Sequence, residues 1–272
     1  MTERQTVTST LGFSALLDQR LEFFANDNSR DRMNVAQRQV QIENVRSRAI
    51  PPSLEKEGFT LVPHKSAIGD FRDEGEIERI HNAEIVGLLR DVSGADHVEV
   101  TGRAILRFGE RSGDSGALDN SRPARYVHVD ISDATGARFN AQSQAPEGRT
   151  ITRIARYNVW RVLTPPPQDV PLAVCESASV ARDDLLPAWA MFDRDGEVVF
   201  SFEAWVLRYN PAQRWAYFAD MTPEEVLIFK THDTDPNHPS HVPHGAFDDP
   251  SYTQDAVPRC SVEMRGVAYW YG

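Results

Sequence analysis

The sequence predicts a mainly β protein, built as a double-sheet jelly roll or barrel. From about His97 onward, eight short β-rich runs follow one another, separated by clusters of Pro, Gly, Asp and Asn. No helical pattern stands between these runs, whereas a parallel α/β sheet would need helices there. The one strong helical pattern precedes the strands, so we expect a helix that flanks a β core.

The predicted elements can be quoted directly. The helix runs from Asp73 to Val92, because apolar residues recur on one helical face and Gly94 follows as a cap residue. That apolar stripe is formed by Ile77, Ile80, His81, Ile85, Leu88, Leu89 and Val92. The eight predicted strands lie in "HVEVTGRAILRF", "ARYVHVDIS", "ITRIARYNVWRVL", "LAVCESASV", "VVFSFEAWVLRYN", "RWAYFAD", "EVLIFKTHD" and "CSVEMRGVAYWYG".

The first sixty residues differ in character from the rest of the chain. They are mixed and polar, with a proline pair at Pro51 and Pro52. We expect residues 1–60 to form an N-terminal arm or lid that is part of the same domain as residues 61–272. A length of 272 residues allows one large β domain of this kind.

Composition limits the classes of function. The chain is 40% hydrophobic and 25% charged, and it has no apolar run near the roughly 18 residues that cross a bilayer. A net charge of −11 with scattered arginines argues against binding to nucleic acid or to anionic membranes. The N-terminus has no signal-peptide pattern, and Cys175 and Cys260 lack metal-ligand spacing, so a reducing, cytoplasmic location is expected. We expect a monomer or a homodimer.

One predicted strand contains an H-x-D pair in the run "ARYVHVDIS". Side chains two residues apart on a strand share a face, so His128 and Asp130 project together with Tyr126. Alone, this pair is a weak signal, since two partly exposed polar residues would give the same pattern.

A second cluster of possible ligands follows the strand "EVLIFKTHD". The Pro-rich loop "THDTDPNHPSHVPHGAFDDP" offers His232, His238, His241 and His244. Two histidines and one carboxylate, with positions left open, are the ligand set of non-haem Fe(II) oxygenases.

The order of residues after the loop favours His244 as the second histidine, with His241 as the competing candidate. His244 stands immediately before "GAF", and "PRCSVEMR" begins the last strand with Arg259 and Ser261 on one face. An inward-facing guanidinium beside a hydroxyl suits a dicarboxylate such as 2-oxoglutarate, because its planar fork binds a carboxylate through two parallel hydrogen bonds.

The chain resembles a known family over nearly its whole length. The segments that carry the resemblance are "VQIENVR", "EGFTLVPHKSAIGDF", "EIVGLLRDVSGADHVEV", "HVD", "YNVWRVL", "PLAVCE", "RWAYFADMTPEEVLIFKTHD", "PHGAFDDP" and "PRCSVEMR". Their content and order are similar to those of the CmcJ/NvfI-type family of Fe(II)/2-oxoglutarate oxygenases, which includes hydroxylase/desaturase proteins similar to the gibberellin desaturase. The resemblance implies a jelly-roll (double-stranded β-helix, cupin-like) core.

The resemblance also implies roles for particular residues. His128, Asp130 and His244 match the iron ligands, and Arg259 with Ser261 matches the pair that binds 2-oxoglutarate. Further candidates for the pocket are Asn158 and Arg161 as cofactor contacts and Tyr126 and Trp160 as substrate contacts, with packing and surface pairing as the alternative for each.

The activity implied by the resemblance is oxidation of a C–H bond in a small molecule, using Fe(II), 2-oxoglutarate and O2. Hydroxylation, desaturation and ring formation all remain open, in a setting such as natural-product biosynthesis. Two alternatives from other classes are a Zn-dependent hydrolase on the same ligands and a cupin-like binding protein without turnover.

Overall fold

Two β-sheets form the body of the structure, a computed structural model that describes residues 6–252 and 255–272. The larger sheet has nine strands in the order β1-β3-β11-β8-β13-β6-β10-β9-β2, and the smaller has five in the order β4-β12-β7-β14-β5. Neighbouring strands are antiparallel except for β3 with β11 and β2 with β9. The mainly β prediction is confirmed, and large antiparallel sheets are consistent with a jelly roll.

The strands vary from two to twelve residues. They are β1 (Thr6–Ala15), β2 (Leu21–Phe24), β3 (Asn34–Asn44), β4 (Phe59–Pro63), β5 (His97–Phe108), β6 (His128–Val129), β7 (Ile151–Val162), β8 (Leu172–Cys175), β9 (Leu185–Arg194), β10 (Glu197–Leu207), β11 (Trp215–Tyr217), β12 (Glu225–Asp233), β13 (His244–Ala246) and β14 (Cys260–Tyr271). Short 3₁₀ turns lie at Asn28–Arg30, Val45–Ser47, Ser177–Ser179 and Arg182–Asp184.

Helical turns run from Glu74 to Ser93, the stretch for which the periodicity predicts a helix. They comprise α1 (Glu74–Glu76), one π turn (Ile77–His81) and α2 (Asn82–Ser93). Ile85 and Leu89 are fully buried against the outer face of the smaller sheet. Gly266 of β14 permits this close contact, because a Cβ there would lie 2.1 Å from Cδ1 of Leu89. No helix in the described ranges is long and apolar enough to cross a membrane.

The alternation along β7 decides which residues face the larger sheet. Trp160 and Val162 pack in a core cluster that also contains Val174 of β8. Tyr157 and Val159 point the other way and pack with the helix. Asn158 shares the inward face with Trp160, because every second residue of a strand lies on the same side.

Each of the eight predicted runs contains a strand, but several elements were not predicted. Strands β4, β9 and β13 and the helix α3 (Asp133–Asn140) are absent from the prediction. The run "ARYVHVDIS" forms only the two-residue strand β6, since Ser132 caps α3 by accepting a hydrogen bond from the Thr135 amide at 3.2 Å. The polar N-terminal stretch supplies β1, β2 and β3 to the larger sheet.

Candidate metal centre

His128 and His244 lie on neighbouring strands of the larger sheet. β6 and β13 pair so that the two residues are directly opposite each other, with ring centroids 4.3 Å apart. Asp130 follows β6, and its Oδ1 lies 3.5 Å from Nε2 of each histidine. The possible ligand atoms of the three residues all lie within 4.8 Å of one another. The structure therefore brings the three residues predicted as ligands together.

Main-chain carbonyls select the nitrogen of each imidazole that faces this cluster. Nδ1 of His128 lies 3.2 Å from the carbonyl oxygen of Tyr126, and Nδ1 of His244 lies 3.2 Å from that of Val242. Because a carbonyl oxygen only accepts hydrogen bonds, each Nδ1 carries the hydrogen and donates it. In the neutral imidazole this leaves the lone pair on Nε2, which is the form of histidine that binds a metal.

The second carboxylate oxygen of Asp130 is held from the smaller sheet. Oδ2 accepts a hydrogen bond of 2.9 Å from Nδ2 of Asn158 and contacts of 3.3 Å from Nε and Nη2 of Arg265. Arg265 also donates to Oε1 of Glu263 at 2.8 Å. Burial alone would raise the pKa of Asp130, but Arg265 and the two histidines hold that pKa well below its usual range. Asp130 is therefore ionised, with Oδ1 facing the histidines.

These donors fit Fe(II). Burial lowers the pKa of His128, and the neighbouring His244 lowers it further, which favours the neutral imidazole. Two neutral imidazoles and one ionised carboxylate are the ligands of the 2-His-1-carboxylate sites of non-haem iron oxygenases. Three protein ligands leave open positions on a six-coordinate ion for other molecules.

Arg259 is a buried cation just before β14, with only 2% of its surface exposed. Its Nη1 donates to the carbonyl oxygen of Val170 at 2.6 Å, and its guanidinium carbon lies 5.5 Å from the Trp160 ring centroid. Burial lowers the pKa of Arg259 to about 10, and the nearby cations Arg107 and Arg125 act in the same direction. Its Nε is buried without a hydrogen-bond partner in the described part of the chain. An arginine in this state suits an anionic ligand.

Of the remaining candidates, Tyr126 borders a cavity next to the histidines, whereas Ser261 and Arg259 line neither of the two cavities there. Ser261 is fully buried on the face of β14 that continues from Arg259, and its Oγ donates to the carbonyl oxygen of Arg107 at 3.4 Å. The Tyr126 ring centroid is 5.3 Å from that of His128. Tyr126 lines a small cavity of about 60 Å³ together with His128.

The structure corrects the expectations for Arg161 and Trp160. Arg161 projects from the outward face of β7 and donates to the carbonyl oxygens of His64 and Pro223, each at 2.8 Å. It therefore does not reach the cluster of His128, because successive strand residues alternate between faces. Trp160 does point inward, but it packs in the core and lines neither cavity next to the histidines.

The other histidines of the Pro-rich loop have separate surroundings. Nε2 of His241 lies 2.8 Å from Oδ1 of Asp133, and His238 pairs with Glu55. Neither belongs to the group of possible metal ligands found among the described residues. The structure thus favours His244 over His241 as the second histidine.

A second and larger cavity lies beside Asp130, and the sequence analysis did not predict it. Its volume is about 780 Å³, and its lining includes Asp130, Asn158 and Arg265. Arg156 and several phenylalanines from α3, β9 and β10 are among the other lining residues. The spacing of Arg156 could have predicted its position, because it lies two residues before Asn158 and therefore on the same face of the strand.

Comparison with known proteins also indicates an oxidoreductase. A family model described as "Oxidoreductase/YMDC permease-like domain" matches residues 15–269. The hydroxylase/desaturase efuI of Hormonema carpetanum is 30% identical over 258 residues, which cover 88% of this chain and 86% of that protein. The Fe(II)/2-oxoglutarate-dependent dioxygenase nvfI of Aspergillus novofumigatus is 28% identical over 239 residues, which cover 85% of this chain and 82% of that protein.

A solved structure extends the likeness to the fold. The iron and alpha-ketoglutarate-dependent endoperoxidase NvfI superposes with a TM-score of 0.82 at 25% identity, and the match covers 99% of both chains. Sequence, fold and the grouped histidines and aspartate agree. The chain belongs to the CmcJ/NvfI-type family of Fe(II)/2-oxoglutarate-dependent oxygenases.

Proposed function

We propose that this protein is a non-haem Fe(II)/2-oxoglutarate-dependent oxygenase that oxidises a C–H bond of a small molecule in secondary metabolism. The reaction would be a hydroxylation, a desaturation or a ring formation. The observation that supports this most directly is the convergence of His128, Asp130 and His244, whose possible ligand atoms lie within 4.8 Å of one another.

In this proposal His128, Asp130 and His244 hold Fe(II), while Arg259 and Ser261 bind the distal carboxylate of 2-oxoglutarate. When bound, iron and 2-oxoglutarate supply the oxidising chemistry, in which O2 is consumed, 2-oxoglutarate becomes succinate and CO2, and the substrate is oxidised. The protein holds these groups in position and supplies the charged side chains that bind them.

Neighbouring side chains keep the ligands in place. Asn158 and Arg265 hold Asp130 ionised and oriented through its Oδ2. The Phe229 ring, with its centroid 4.6 Å from that of His244, covers the histidine with an apolar surface and excludes water from that side. Burial of this kind strengthens the charged contacts inside the site.

The two alternatives explain less of the site. A zinc hydrolase prefers tetrahedral, nitrogen-rich ligands and an activated water, and it gives the buried Arg259 no anion to bind. A cupin-like binding protein would keep the metal ligands without turnover.

An anaerobic titration separates these functions. Addition of Fe(II) and then 2-oxoglutarate to the purified protein is expected to produce the weak visible charge-transfer band of a chelated 2-oxo acid. Zn(II) in place of Fe(II) is the control and should give no band. Admission of O2 with a substrate should then yield succinate. Absence of the band at saturating Fe(II) and 2-oxoglutarate would rule out the proposed function.

We further propose that the two sheets form a jelly-roll (double-stranded β-helix) core flanked by the helix Glu74–Ser93, and that residues 1–60 belong to one domain with residues 61–272. The packing of Leu11 and Ile42 in one cluster with Val129 supports the single domain. We also propose a cytoplasmic location and a monomeric or homodimeric state.

The two cysteines provide a test of the proposed location in the reducing cytoplasm. Cys175 is buried on β8, and Cys260 is half-buried on β14 of the other sheet. Burial raises the pKa of the Cys175 thiol to about 12 and also raises that of Cys260. Because the thiolate is the reactive form, we expect Cys175 to resist a thiol reagent in the native protein and to react more slowly than Cys260.

The measurement is a thiol count before and after denaturation. We expect two free thiols in freshly isolated, denatured protein, and a Cys260→Ser variant should leave only the slow group. A count of zero in the denatured wild type would contradict a reducing location.

A further inference from the structure

The larger cavity, which we call the aromatic pocket, has a wall of phenylalanine rings and is also lined by three arginines, Arg103, Arg156 and Arg265. The wall consists of Phe139 of α3, Phe192 of β9, and Phe200 and Phe202 of β10. Its volume is about 780 Å³, which is in the range of cavities that hold small organic ligands. Asp130 lines the pocket together with Asn158 and Arg265, so the pocket borders one of the three candidate metal ligands.

The phenylalanines are arranged as one continuous apolar surface. Phe192 and Phe202 stack with centroids 5.4 Å apart and an interplanar angle of 27°. Phe139 and Phe200 flank Phe202 at 6.1 Å and 5.5 Å. Phe200 is 50% exposed, which is unusual for a side chain of its size and places an apolar surface where no described residue covers it. A wall of this kind binds an apolar body by contact area.

Two of these arginines have carboxylate partners among the described residues, since Arg103 lies 3.5 Å from Glu74 and Arg265 contacts Asp130 and Glu263. Arg156 has a neutral partner instead. Its Nε donates to Oδ1 of Asn140 at 2.9 Å, and its guanidinium carbon lies 5.4 Å from the Phe139 centroid. No ion pair links Arg156 to a carboxylate in the ranges 6–252 and 255–272. Glu99 acts on it through space, but the Glu99 carboxylate contacts the Tyr269 hydroxyl at 3.3 Å.

The position of Arg156 relative to the metal ligands follows from the strand. Arg156 and Asn158 share a face of β7, and residues two apart on a strand are separated by about 7 Å. Asn158 contacts Asp130 directly. A substrate whose carboxylate is bound by Arg156 would therefore present to the metal centre a carbon that is several covalent bonds away from that carboxylate.

We infer that the aromatic pocket is the substrate site and that the substrate is an apolar carboxylic acid, whose carboxylate pairs with Arg156 while its ring or chain packs on the phenylalanine wall. This inference rests on the proposed oxygenase function and adds the class of substrate. The planar guanidinium can bind a carboxylate through two parallel hydrogen bonds, and its partly buried setting strengthens that contact.

A matched pair of probes tests the charge directly. 1-Naphthaleneacetate and 1-naphthaleneacetamide share the apolar body and differ in the carboxylate. They are titrated by fluorescence into wild type and variants with Fe(II) and 2-oxoglutarate present and oxygen excluded. Wild type should bind the acid about ten- to a hundredfold more tightly than the amide, as a charge-assisted contact implies.

The variants assign the preference to one residue. Arg156→Gln should remove most of the preference for the acid and leave the binding of the amide unchanged. Arg138→Gln is the matched control, because the Arg138 guanidinium carbon also lies over the Phe139 ring, at 5.2 Å, but does not line the pocket. Phe202→Ser should weaken both probes, since it removes part of the shared apolar contact.

Three outcomes would overturn the inference. These are failure of wild type to bind the acid, an undiminished preference in Arg156→Gln, and an equal loss of preference in Arg138→Gln. If Arg156→Gln instead raised the 2-oxoglutarate concentration needed for the charge-transfer band and left probe binding intact, Arg156 would serve the cosubstrate. Failure of the oxygenase function is distinguishable, because it appears in wild type as a missing band.

Discussion

Replacement of His128, Asp130 or His244 by alanine is expected to abolish turnover while leaving the fold intact. Each residue offers one atom to a group that lies within 4.8 Å, and an open site that loses one of three protein ligands holds Fe(II) poorly. The fold should survive, because the sheets are held by strand pairing and by core clusters formed mainly by other residues. The measurements are iron content after desalting, succinate formation and a thermal unfolding curve.

His241→Ala is the control for the ligand variants. His241 comes from the same loop as His244, but its Nε2 faces Asp133 and not Asp130. The variant should retain most of the activity and its iron. A dead His241→Ala together with an active His244→Ala would show that the wrong histidine had been assigned to the metal.

Replacement of Arg259 by leucine is expected to raise the 2-oxoglutarate requirement about ten- to a hundredfold, the loss expected for a charge-assisted, bidentate contact shielded from water. Arg259 is 2% exposed, and its Nε has no hydrogen-bond partner among the described residues, so a bound carboxylate would complete its contacts. Fe(II) binding should survive, since the metal ligands lie on other segments. The readout is the 2-oxoglutarate concentration that gives half of the charge-transfer band.

Arg259→Lys should recover only part of the affinity, because lysine keeps the charge and loses the planar fork. An unchanged 2-oxoglutarate requirement in Arg259→Leu would place the carboxylate contact elsewhere. Arg265 would then be the next residue to test, since it lies at the metal ligands, whereas Arg161 points to the outside of β7.

The strands β5, β7 and β14 were predictable from their sequence pattern, whereas β3 was not. β5 coincides with the predicted run "HVEVTGRAILRF", and β7 and β14 lie within their runs. β3, in contrast, exposes its first six residues, so its sequence shows no apolar alternation although it pairs fully with β1. Hydrogen bonding between neighbouring strands holds β3 in the sheet, and a single sequence carries little signal of that pairing.

The metal ligands were predictable because H-x-D places two side chains on one face, and the resemblance pointed to His244. The face of β7 was harder to assign. Asn158 and Arg161 come from the same motif but lie on opposite faces of β7, so only one of them can contact Asp130. The sequence pattern does not indicate which face that is. The aromatic pocket depends on the hairpin of β9 and β10, and β9 was not recognised.

The carbonyl groups that hold the histidine tautomers have a consequence for engineering. The acceptors for His128 and His244 are main-chain atoms of Tyr126 and Val242, so they do not depend on the identity of those side chains. Tyr126 borders the small cavity next to the metal ligands. Position 126 can therefore be randomised to change the shape of that cavity while the orientation of the iron-binding nitrogen is retained, which makes it a suitable starting point for altering selectivity by directed evolution.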